Sequence, residues 1–83
     1  MTKLDKIIRS VIDGLSDRNI NFDDLCNLLK HLNFEEHIRS SHHIFRRADV
    51  AERVNLQKGE TKAKAYQVKQ VRNILIKYKL GSR

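Results

Sequence analysis

Eighty-three residues, 40% of them hydrophobic, suffice for one small domain over residues 1–83 and exclude both a second core and a disordered chain. No run approaches the roughly 18 apolar residues of a membrane span, and the N-terminus carries no continuous apolar stretch, so neither a membrane segment nor a signal peptide is expected. Seventeen Lys and Arg against ten Asp and Glu give a formal net charge of +7, which favours a polyanionic partner. The single Cys26 has no partner for an internal disulfide; this fits a reducing cytoplasm, and its helical setting reads as a small core hydrophobe.

Taken in chain order, Leu4, Ile7, Ile8, Val11, Ile12 and Leu15 recur at i, i+3, i+4, i+7 and predict an amphipathic helix over residues 3–15, with Thr2 and Asp5 placed for a capping box. Gly14 and Ser16-Asp17 mark its end. A second helix starts at the N-cap Asn21, with Asp23 and Asp24 in its first turn. It carries Phe22, Leu25, Leu29 and Leu32 inward, widened by Cys26 and Leu28, and closes at His31-Leu32-Asn33. Three short strands follow over 34–39, 42–47 and 53–57, the last alternating cleanly with Val54 and Leu56 inward. Residues 48–52 connect the second strand to the third, and Lys58-Gly59-Glu60 is a turn. A final helix shows Val68, Val71, Leu75 and Tyr78 at helical spacing, with Ile74 and Ile76 broadening the stripe. Lys77, Lys79 and Gly81 suit its C-terminal end. The expected class is α+β: a three-stranded antiparallel sheet with helices on one face, in the order α-α-β-β-β-α.

Charge is unevenly spread. From Arg39 onward lie twelve of the seventeen basic residues and three of the ten acidic ones, a net +9 against −2 before it. The C-terminal half is thus expected to build the binding face. Within it stands Arg39-Ser40-Ser41-His42-His43-Ile44-Phe45, a histidine pair beside hydroxyls and arginines. A neutral imidazole accepts a proton near pH 7 and an imidazolium returns it, while arginines hold a phosphate. These are the parts RNA cleavage requires.

Ser41-His42-x-x-Phe45 on a strand after a short helix resembles the Gly-Ser-His-x-x-Phe/Tyr signature of the HicA toxins. A second block, Asn55-Leu56-Gln57 followed by Lys62 to Asn73 (Lys-Ala-Lys-Ala-Tyr-Gln-Val-Lys-Gln-Val-Arg-Asn after the turn), is similar to the C-terminal half of one branch of that family. The likeness spans about Ile20 to Leu80. It implies a double-stranded-RNA-binding-domain-like fold and a cytoplasmic toxin of a type II toxin–antitoxin system. The implied activity is metal-independent endoribonuclease cleavage of mRNA, inhibited by a HicB-like antitoxin. The residue after Ser is then the catalytic histidine, here His42, acting as general base on the ribose 2′-hydroxyl or general acid on the leaving 5′-oxygen. One histidine cannot do both at once, so a second group or water completes the pair. The chain departs from the signature at Ser40, where the family has glycine; in a left-handed conformation serine costs on the order of 1–2 kcal/mol.

The other candidates are less sharply marked. Ser41 could bond a phosphate or orient His42. Lys62 and Lys64, ahead of the last helix, suit a phosphate-receiving loop, though a solvated charge run accounts for either alone. Arg39, Arg46 and Lys69 join them by nearness to the two motifs. His43 is expected on the opposite face of its strand from His42, and His31 and His37 read as structural or exposed. No spacing of His37, His42, His43 and Asp49 matches a zinc signature, so neither metal nor cofactor is expected. With aromatics at only 6%, base stacking gives way to backbone reading. The alternative function is a non-catalytic RNA-binding module on the same fold. A third is a protein-interaction domain working through its N-terminal helix.

Overall fold

The spacing of Leu4, Ile7, Ile8, Val11 and Ile12 forms the helix it predicts, α1 (Lys3–Asp13), in a computed structural model that describes residues 3–80. The Thr2 cap and the Gly81 terminus lie outside those residues. The helix stops two residues short of Leu15, which stands 87% exposed instead of completing the apolar stripe. Gly14 takes φ +71 there, and a Cβ at that position would meet Arg72 Nη1 at 3.0 Å. The chain therefore turns where glycine is favoured, and Leu15 is carried out to solvent.

After a 3-10 turn (Asp17–Asn19) comes α2 (Phe22–His31). Asn21 Oδ1 accepts from the amides of Asp23 (2.9 Å) and Asp24 (3.3 Å), so the expected N-cap forms. Phe22, Leu25, Cys26, Leu28 and Leu29 are buried along it. Asn33, at φ 71, ends the helix by a left-handed residue that asparagine tolerates.

The sheet consists of β1 (Glu35–Arg39), β2 (His42–Arg47) and β3 (Val50–Gln57), all antiparallel with β2 central. Strand β3 is longer than its sequence pattern suggested. Residues 50–52 belong to it because Val50 and Glu52 keep the alternation of Val54 and Leu56, and Val50 is buried. A bulge between Phe45 and Arg47 absorbs the change of register. The last element is α3 (Ala65–Lys77), whose buried residues are Gln67, Val68, Val71, Ile74 and Leu75. Ile76, expected to widen this stripe, points outward at 58% exposure.

The order is α-α-β-β-β-α, as the sequence predicts. One hydrophobic cluster joins Val11, the inner residues of α2, Phe45, Val54 and Leu56 of the sheet, and Val68, Val71 and Leu75 of α3. Phe45 sits at its centre, fully buried on the middle strand. Truncating such a side chain to alanine typically costs about 3–5 kcal/mol. Helices α2 and α3 cover one face of the sheet, α1 packs on those two helices, and the other face of the sheet is left open.

Candidate functional site

The strand register decides what stands on the open face. Directly paired residues share a face, and successive residues alternate. Phe45 pairs with Glu36 and Val54, and His43 with Ile38 and Leu56; these point toward the helices. The open face therefore receives His42 with its partners Arg39 and Gln57, Ile44 with His37 and Asn55, and Arg46 opposite Glu35. Arg53 and Ala51 of β3 follow by alternation. An open groove lined by His37, Arg46, Ala51 and Arg53, among others, borders this face.

His42 is half-buried, and its Nδ1 lies 3.3 Å from Asn55 Oδ1 on the neighbouring strand. With an amide oxygen facing it, Nδ1 carries the proton and donates. The acceptor lone pair of a neutral ring is then Nε2. Asn55 was not among the residues singled out for chemistry, although the alternation of Arg53 to Gln57 was enough to place it outward. Arg39, Arg46 and Arg53 are exposed, and no carboxylate lies within ion-pairing distance of them among the described residues. Other cations of the C-terminal half are already engaged: Arg47 with Asp49, Lys58 with Asp23, Arg72 with Asp17 and Lys77 with Glu52. Arg39 thus remains available to a phosphate beside His42, and Arg46 and Arg53 form a second basic cluster about 13 Å further along the same face.

Ser41 closes the β1–β2 hairpin behind His42. Its carbonyl accepts from Lys58 N at 3.0 Å, tying the hairpin to the turn after β3. Ser40 takes φ 56, the left-handed conformation that favours glycine.

The lysines divide. Lys64 precedes the first residue of α3, and its amide donates to Gln67 Oε1 at 3.1 Å. The same Gln67 side chain donates through Nε2 to the carbonyl of Gln57 at 3.1 Å. Since Gln57 is the strand partner of His42, this fully buried glutamine couples the start of α3 to the His42 end of the sheet. Nothing in the sequence marked Gln67 out from other polar helix residues. Lys62 lies among the helices: it bridges to Asn21 at the start of α2, and its Nζ reaches Asn19 O at 3.5 Å. Lys69 is exposed on α3, with no contact to the open sheet face among the described residues.

Behind the sheet, His43 Nδ1 stands 2.8 Å from Glu36 Oε2, and its ring meets Phe22 edge-on at 5.2 Å. This is the opposite face from His42, as alternation predicts. It also separates His43 from His37 and His42, so the four-residue zinc set weighed from the sequence does not assemble. Cys26 lies beside the pair. Burial first, and then the Glu36 and Asp23 carboxylates, push its thiol up to about 12.

Comparison of the chain with protein-family models, curated proteins and solved structures gives no match. No helix among the described residues is long and apolar enough to cross a membrane.

Proposed function

We propose that this chain is an endoribonuclease of the HicA kind, an mRNA-cutting toxin on a double-stranded-RNA-binding-domain-like fold that a HicB-like antitoxin inhibits. The observation that carries the reading is His42 on an open sheet face, held through Nδ1 by Asn55 and paired across the strand with Arg39, with Arg46 and Arg53 further along the same face.

RNA lies across this face with a phosphate against Arg39, the direct strand partner of His42. His42 Nε2 takes the proton of the ribose 2′-hydroxyl. The freed oxygen bonds to phosphorus, the P–O5′ bond breaks, and the products are a 2′,3′-cyclic phosphate and a 5′-hydroxyl. The departing oxygen collects a proton from a second group. His37 is the candidate for that role, being the one other imidazole on the open face among the described residues. General acid–base help of this kind contributes about 10²–10⁴-fold in rate. Lys64 extends the basic surface at the His42 end of the sheet, whereas Lys62 and Lys69 lie off the open face and would meet only RNA that continues beyond it. The antitoxin acts by covering the open face.

Incubation of the antitoxin-free protein with labelled mRNA in excess EDTA tests this, alongside His42→Ala. Fragments ending in cyclic phosphate from the first and none from the second are expected. Intact RNA in both, with retention on a gel, would overturn the enzyme and leave a non-catalytic RNA-binding module.

A further inference from the structure

Three side chains of different chemistry converge on the helix-covered side of the sheet. Cys26 comes from α2, Glu36 from β1 and His43 from β2, and their Sγ, carboxylate and ring-nitrogen atoms all lie within 4.8 Å of one another. Their spacing in sequence carries no metal signature; only the docking of α2 onto the first hairpin brings them together. We propose that Cys26, Glu36 and His43 form a binding site for a divalent transition-metal ion of the zinc class.

The donor set suits that class. A thiolate, an imidazole nitrogen and a carboxylate oxygen are the ligands zinc takes, at about 2.0–2.3 Å, which holds tetrahedral donors roughly 3.3–3.8 Å apart. Closing from the present spacing asks of the thiol and the ring movements of about an ångström, within the reach of side-chain rotation. Charge balances as well: thiolate and carboxylate supply two negative charges against two positive, and binding releases the thiol proton to solvent.

The surroundings are arranged around such an ion. Glu36 presents Oε2 to His43, while its Oε1 is 3.5 Å from Lys30 Nζ, so one oxygen can ligate while the other stays paired. Phe22 stacks edge-on against the His43 ring and fixes its plane. Cys26 is 5% exposed, whereas the Glu36 and His43 side chains keep 15% and 17%. The Glu36 and His43 side of the cluster therefore stays within reach of a water as fourth ligand.

An ion held here cross-links α2 to β1 and β2. It lies on the opposite face of the sheet from His42, so the site stands independently of the proposed cleavage.

The test uses metal-stripped full-length chain titrated with Co²⁺, then Zn²⁺. One equivalent of Co²⁺ is expected to give a thiolate-to-cobalt charge-transfer band and intense tetrahedral d–d absorption, both abolished by Zn²⁺. Cys26→Ala is expected to abolish the charge-transfer band. Glu36→Gln, which preserves shape and the contact with His43, should weaken binding at least about tenfold while the circular dichroism stays native. At the same Zn²⁺ concentration the thermal midpoint of the parent chain should rise, and that of Glu36→Gln should rise less. Binding without a charge-transfer band, or binding lost in His37→Ala or His42→Ala and retained in Glu36→Gln, would place the ion on the surface and overturn the site.

Discussion

His42 and His43 are neighbours in the chain and face opposite sides of the central strand. One ring meets Asn55 at 3.3 Å on the open face, and the other meets Glu36 at 2.8 Å beneath the helices. Alternation of side chains along β2 is the whole cause, and it assigns the two imidazoles different work. His42→Ala should lower cleavage by about 10²–10⁴-fold and leave the urea midpoint unchanged. His43→Ala, assayed without added metal, should leave Glu36 short of a partner and cost about 1–3 kcal/mol, with cleavage intact wherever the protein is folded. Parallel RNA-cleavage and denaturation curves separate the two. Equal loss of stability in both variants would refute the division.

Arg39 and Arg46 share the open face with His42 and have no carboxylate within ion-pairing distance among the described residues. Replacing either with alanine should weaken RNA binding, and the slope of log affinity against log salt should become shallower by about one. Arg72→Ala offers the contrast, because its guanidinium is occupied by Asp17 at 2.9 Å. That change should disturb stability rather than the salt slope. Filter binding of the His42→Ala protein at several salt concentrations reads both without cleavage interfering.

Ser40 holds φ 56 at the hairpin that presents His42. Glycine there relieves the steric cost of a left-handed serine, partly offset by glycine's greater freedom when unfolded. Ser40→Gly should therefore stabilise the protein by about 1 kcal/mol. Ser40→Val should destabilise it, since a β-branched side chain suits that conformation least. Urea midpoints in the opposite order would show that the strain is not borne at this residue.

Glu52 accepts from Lys77 Nζ at 2.7 Å and from Tyr78 Oη at 2.6 Å, and these bonds, the lysine's first, hold its carboxyl down at about 2. A depressed carboxylate stabilises the fold above its unfolded value of about 4.5, and the contribution disappears as pH falls through the folded value. Acid should therefore loosen the contact between β3 and the end of α3 in the window from about pH 4.5 to 2. Glu52→Gln should flatten the stability profile in that window. The pair is exposed, so salt should shrink the difference as well. A variant profile identical to the parent's would remove Glu52 as its source.

How much of this was legible beforehand follows from the range of each interaction. The helices were readable because Leu25, Leu29, Val68, Val71 and Leu75 repeat with the helical period, a local signal. His42 and His43 could be sent to opposite faces for the same reason. Leu15 and Ile76 were misplaced because periodicity does not register where a helix stops, nor which flank of a stripe its neighbours cover. In α1 the stop falls at Gly14, in the left-handed conformation, and Arg72, far along the chain, passes close beneath it. Asn55 beside His42 depends on the register between two strands, and Gln67 on the docking of α3 against Gln57; neither is written in local spacing. The groups nearest the candidate chemistry were thus the hardest to read, since they meet only across elements.

Arg72 reaches Asp17 and also the carbonyl of Val11 at 3.3 Å, while Val11 is the one fully buried residue of α1. The N-terminal helix is therefore fastened to the rest by one deep side chain, by the half-buried flank of Leu4, Ile7, Ile8 and Ile12, and by two charged ties, Arg72 and the Lys3–Asp24 pair at 3.3 Å, while the sheet packs on the two later helices. Because α1 packs on the helices and not on the sheet, its release would leave the strand register untouched. It would bare an apolar helix face while the hairpin carrying His42 stays in place.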